Sequence, residues 1–111
     1  MIEKSFYYAH PGLSGGVGIF VLGEVALGTP HECFNCNSNL SANTLPKGTN
    51  STHAIGTHYP DPAQDKVLAD GTRVPLGPII NNKKAWIGSN EYIVYNTNQI
   101  KIRYIVRLTS K

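Results

Sequence analysis

The residues from Ile100 to Leu108 restrict the fold more than any other stretch. Ile100, Ile102, Tyr104, Val106 and Leu108 occupy the even positions, and Lys101, Arg103 and Arg107 the odd ones. Side chains of an extended strand point alternately to its two faces, so this run reads as a strand with one apolar and one cationic side. One face then packs and the other meets water, the pattern of an antiparallel sheet. The best helical stretch, Ile2 to Tyr8, is short. His10-Pro11-Gly12 ends it, because the residue before a proline is pushed out of the α region. With 11 Gly, 7 Pro and 15% charged residues among 111, the balance suits short strands and structured loops rather than a helical bundle. The expectation is one α+β domain, mainly antiparallel β, with a short N-terminal helix.

Four more segments read as strands. Val17 to Leu27, interrupted by Gly23 and Glu24 and closed by Gly28, is apolar enough to predict a central strand buried on both faces. Gly23 marks a bulge or the close approach of another backbone. Lys66-Val67-Leu68 and Arg73-Val74-Pro75-Leu76-Gly77 flank an Asp70-Gly71 turn and predict a hairpin, with Pro75 placing its second strand at an edge. Ser89 to Tyr95 is the last of them. The remainder reads as connection: a glycine-rich link at 13–18, a polar loop from Thr29 to Pro62 tacked down by Leu40, Leu45 and Ile55, and a second loop at 78–88 with Asn81-Asn82-Lys83-Lys84 at its tip. A loop as long as 29–62 is functional or disordered in most domains.

A net charge of +3 favours anionic small molecules or acidic surfaces and is too small to imply nucleic acid without a basic patch. Lys101, Arg103 and Arg107 are open to two readings, a solvated strand face or a nucleic-acid stripe. No apolar run approaches the ~20 residues of a membrane span. The N-terminus lacks the order of a secretory signal, so a soluble intracellular protein is expected. Cys33 and Cys36 form His31-x-Cys-x-x-Cys, which His53 or His58 would have to complete as a zinc set; the spacing matches no defined finger, so two reduced loop thiols and no metal are expected.

Glu91 lies near the start of the strand at 89–95 and shares a face with Ile93 and Tyr95. Glutamate is a poor strand former, and an ionised carboxylate in such a setting must be solvated, paired or used. It is either a strand-end acid facing water or a cleft carboxylate.

Five pieces in register carry a resemblance: Gly23-Glu24-Val25-Ala26-Leu27-Gly28; Leu45-Pro46-Lys47-Gly48 with Ser51 and Gly56; Pro60-Asp61-Pro62; Val74-Pro75-Leu76-Gly77; and Asn90-Glu91-Tyr92-Ile93-Val94-Tyr95. In that order they resemble the catalytic domain of the poly(ADP-ribose) polymerases, from Met1 almost to the C-terminus. The resemblance implies the C-terminal half of the two-sheet ADP-ribosyltransferase fold, NAD+ as substrate, Glu91 as the catalytic residue, and protein acceptors modified on Glu, Asp or Ser side chains. It also implies a nuclear setting, with a DNA-damage link through upstream domains. In such a site Ser5 would hydrogen-bond the nicotinamide carboxamide, Tyr8 would stack on the ring and Lys4 would sit near Glu91. Without the resemblance, Tyr8 reads as a core aromatic.

The chain also departs from the family. The family's triad is His, Tyr and Glu, with the His followed by Gly and both of the first two members ahead of the Lys-Ser pair. Here His10, His31, His53 and His58 are followed by Pro, Glu, Ala and Tyr. The expectation is therefore a partial catalytic domain over 1–111, inactive as an isolated chain. Ser89 stands where the family often has Tyr, and 33–43 is unlike the better-known members. The alternative is a non-catalytic module that uses the loop at 29–62 to bind protein or nucleic acid.

Overall fold

The computed structural model describes residues 2–109. A helix, α1 (Ile2–Tyr8), opens it on the predicted boundaries. The link expected to be loose is partly ordered as a 3-10 turn over Pro11–Ser14. The strands in chain order are β1 (Val17–Val25), β2 (Pro30–Cys33), β3 (Ser51–Ala54), β4 (Gly56–Pro60), β5 (Lys66–Val67), β6 (Arg73–Val74), β7 (Ile79–Asn81), β8 (Ile87–Ser89), β9 (Glu91–Val94) and β10 (Ile100–Thr109). They assemble as a β1-β10 ribbon, a β2-β3-β9 sheet, a β7-β4-β8 sheet and a β5-β6 hairpin. Pairing is antiparallel except between β2 and β3 and between β4 and β8. The architecture is mixed but mainly antiparallel β with one short helix, compatible with the α+β expectation.

The polar stretch from 29 to 62 is not a loop throughout, because it contributes β2, β3 and β4. Sequence alternation misses β3 because its neighbours β2 and β9 flank it on both edges and its buried side chains are small and polar. Ser51 is 0% exposed, Thr52 1% and Ala54 8%. Burial of a hydroxyl costs free energy unless it is bonded. Ser51 Oγ donates to the Leu27 carbonyl at 2.8 Å, and the Thr52 and Tyr95 hydroxyls share a 2.7 Å hydrogen bond. Residues 78–88 likewise hold β7 and β8 around a shorter tip.

The prediction for β1 is corrected. It pairs with β10 alone, with a register shift between Leu22 and Gly23 where the glycine predicts a bulge. It is not buried on both faces: Leu22 is 58% exposed, and Ile102 and Tyr104 on β10 are 62% and 65% exposed. The ribbon carries the alternating pattern of a packed sheet, yet among the described residues no other strand pairs with it, and α1 and the 3-10 turn lie against β1. The β5-β6 hairpin forms as predicted, with Gly71 at φ 86° in its turn.

Candidate active site

Lys4 and Tyr8 are four residues apart on α1 and so share a face. The Phe6 ring packs on Phe20 of β1, with centroids 6.1 Å apart and planes 14° from parallel; this contact seats the helix on the ribbon. Lys4, Ser5 and Tyr8, with Ile19 and Val21, then line an open pocket of about 410 Å³. A hydroxyl beside an exposed aromatic face on an apolar floor suits a flat ring that carries an amide.

Glu91 is the first residue of β9, and its carboxylate forms an ion pair with the Lys4 ammonium. The pair joins the two ends of the chain. Both side chains are partly exposed, so it is worth only about 0–1 kcal/mol of stability. Its chief effect is to orient the carboxylate toward α1.

Several bonds fix the strand that carries Glu91. Ala54 faces Glu91 and Thr52 faces Ile93 across the β3 ladder. At the end of β9, Tyr95 N and Asn96 N donate to Gln99 Oε1 at 3.2 and 3.0 Å. Gln99 Nε2 in turn donates to the Ala26 and Asn50 carbonyls, each at 3.0 Å. At the start of β9, Gly56 N donates to Asn90 Oδ1 at 2.8 Å. A Cβ at Gly56 would run into the Ser89–Asn90 peptide, so only glycine lets β4 approach this closely.

Tyr92 points to the opposite face of β9 and stacks on His53, with centroids 4.3 Å apart. Burial pushes its phenol above the ordinary value of 10.0; an Asn90 hydrogen bond opposes the shift, and the Asp65 and Glu32 charges add to it. On the Glu91 face a second, narrower cleft of about 270 Å³ lies among Phe34, Cys36, Thr52, Trp86, Glu91 and Tyr95.

Comparison with known proteins identifies the family. Residues 1–110 match the family described as "Poly(ADP-ribose) polymerase catalytic domain". The chain belongs to that family. It is 38% identical to poly [ADP-ribose] polymerase 2 of Arabidopsis thaliana, over 97% of this chain and 17% of the relative. It is 37% identical to poly [ADP-ribose] polymerase 1 of Gallus gallus, over 97% and 10%. The Drosophila melanogaster poly [ADP-ribose] polymerase is 33% identical over 100% and 11%. The chain thus spans less than a fifth of the length of these relatives.

In this polymerase-family chain Lys4, Ser5 and Tyr8 of α1 line one pocket and Glu91 of β9 lines another, and the Lys4–Glu91 ion pair links the two. The cysteines depart from expectation: Cys33 and Cys36 are joined as a disulfide rather than free. Two residues of separation at the end of β2 bring their Cα atoms to 5.3 Å, within bridging range. His31 lies on β2 and His53 on β3. Among the described residues no group of three His, Cys, Asp or Glu converges as a metal site. Of the three cations on β10, Arg103 is bonded to Glu24 at 2.6 Å, so this face is laced rather than a bare basic stripe. Among the described residues no helix is long and apolar enough to cross a membrane.

Sequence reasoning did not single out Gln99, Thr52 or the Phe34–Trp86 wall. Asn96-x-x-Gln99 is a legible capping box, and both of its reciprocal bonds form. Nothing in the sequence shows that the same glutamine also reaches Ala26 and Asn50.

Proposed function

We propose that this chain supplies the nicotinamide-side wall and the catalytic carboxylate of an NAD+ ADP-ribosyltransferase of the polymerase type. The reaction transfers ADP-ribose from NAD+ to protein acceptors and releases nicotinamide. The observation that carries the reading is the Lys4–Glu91 ion pair, which sets the Ser5 and Tyr8 pocket beside a carboxylate held in a sheet. Ser5 hydrogen-bonds the carboxamide, Tyr8 stacks on the ring for about 0.5–1.5 kcal/mol beyond burial, and Lys4 holds Glu91 in place.

Glu91 hydrogen-bonds the ribose that bears nicotinamide. As the glycosidic C–N bond breaks, its electron pair leaves with nicotinamide and positive charge builds on the ribose; a fixed anion there stabilises the transition state. When the acceptor is a Ser hydroxyl, Glu91 also accepts its proton as that oxygen bonds to the ribose carbon; an ionised Glu or Asp acceptor bonds without giving up a proton. The setting proposed with this reaction is the nucleus and DNA repair, with Glu, Asp or Ser side chains as acceptors. None of the four histidines is a His-Gly, so the isolated chain is expected to turn over NAD+ negligibly.

The test exchanges residues 1–110 for the matching segment of the Gallus gallus relative and measures nicotinamide release. The chimera should be active, and Glu91→Gln should lower its rate by about 10²- to 10³-fold, the usual loss on removing one preorganised electrostatic partner. An active chimera that keeps its rate after Glu91→Gln defeats the proposal, as does automodification by the isolated chain that survives the same substitution.

A further inference from the structure

The cleft on the Glu91 face has one wall that the reaction just described does not use. Cys33 ends β2 and stands opposite Ala54 on β3, which stands opposite Glu91 on β9. The three lie in one row across the sheet, so Cys33 and Glu91 are two strand spacings apart, about 10 Å. Cys36 lines the cleft together with Glu91 and Trp86. The bend between the cysteines carries Phe34 into the same cleft, and Phe34 is 41% exposed.

We propose that Cys33 and Cys36 form a reversible thiol–disulfide site that sets the shape of this wall. Cys33 itself is anchored to the sheet, since its carbonyl accepts from Ile55 N at 2.9 Å. Beyond it the anchoring is slight: no hydrogen bond is seen at Phe34 or Asn35 among the described residues, Cys36 Sγ makes only a long 3.7 Å contact with the Cys33 carbonyl oxygen, and Asn37 bonds only forward within the loop, to Asn39 N and Leu40 N. The S–S bond is therefore the link that folds the bend back against the cleft.

A dithiol reductant opens it by exchange. Its thiolate attacks one sulfur, a mixed disulfide forms, and its second thiol displaces the other cysteine. Two electrons and two protons pass to Cys33 and Cys36, and the reductant leaves as its own disulfide. Closing so short a ring removes little chain entropy, so its loss frees the bend without unfolding the domain. The neighbouring residues in the bend are exposed, which leaves the pair open to reagent.

Lys4, Ser5 and Tyr8 line the other pocket, so the switch acts on the cleft beside Glu91 and not on the nicotinamide wall. That consequence for transfer rests on the proposed role of Glu91, but the redox site itself does not.

The test uses the 111-residue chain, whose single tryptophan is Trp86 of this cleft. After mild oxidation the chain should show no titratable thiol, and after dithiothreitol two. Reduction should change Trp86 emission and speed amide exchange over 34–38 at least tenfold, leaving 51–54 as slow as before. A Cys33→Ser/Cys36→Ser variant should match the reduced form and ignore dithiothreitol. Two free thiols surviving the oxidant would overturn the proposal, as would Trp86 emission and 34–38 exchange that are identical in the two forms. Glu91→Gln should leave all of these readouts in place, so failure of the catalytic assignment and failure of the switch are separable.

Discussion

Replacing Tyr95 with phenylalanine removes one oxygen from the protein and should cost far more than one surface hydrogen bond. The Tyr95 hydroxyl lies 2.7 Å from that of Thr52, and Thr52, at the edge of the Glu91-side cleft, is only 1% exposed, so water replaces the lost partner poorly. An orphaned buried hydroxyl costs about 1–3 kcal/mol. At a slope of roughly 1–3 kcal/mol per molar urea for a domain this size, the unfolding midpoint should fall by about 1 M. Thr52→Val leaves the orphan on Tyr95 instead. That side chain borders the open Glu91-side cleft and can reach water, so the cost should be smaller, about 0.5–1.5 kcal/mol. The double variant has no orphan and should lose less than the sum of the two, with a coupling of about 1 kcal/mol or more. Urea titrations of the four proteins followed by Trp86 fluorescence measure the cycle. Additivity within about 0.3 kcal/mol would refute the claim that this bond pins the end of β9, and with it the account of what holds Glu91 rigid.

Three further outcomes follow from the same sheet. Gln99→Ala removes four hydrogen bonds that tie Tyr95, Asn96, Ala26 and Asn50 together, at about 0.5–1.5 kcal/mol each; thermal unfolding should show a loss of about 2–4 kcal/mol, and a change under 1 kcal/mol would mean the bonds are replaced by water. Gly56→Ala drives a methyl into the Ser89–Asn90 peptide and should cost about 1–3 kcal/mol, with faster amide exchange at Asn90 and Glu91 as its local signature. For Tyr92 the phenol is raised above 10.0 in the folded state, so its contribution is intact below pH 10 and is lost as pH climbs through the folded value; Tyr92→Phe should therefore lose less stability than the parent chain between pH 9 and 11, and parallel losses would remove burial as the cause.

Elements whose cause lies within a few residues were legible in the order of amino acids. The helix at 2–8 ends where a following proline forbids it to continue. The Asp70-Gly71 hairpin needs a residue tolerant of positive φ, and glycine is there. The alternation in β10 is present even though, among the described residues, no strand besides β1 pairs with it, because side-chain period is a property of the backbone alone. The motif around Glu91 was legible for another reason: its residue types in that order resemble the family to which the chain belongs.

Tertiary structure alone decided the rest. β3 became the most buried strand with Ser, Thr and Ala inside, since a strand flanked on both edges is selected by what its neighbours leave room for, and hydroxyls are admitted once partners distant in sequence satisfy them. The row from Cys33 through Ala54 to Glu91 is a fact of register between strands, and register is set by the whole sheet at once. A single chain position carries no record of which residue will stand opposite it.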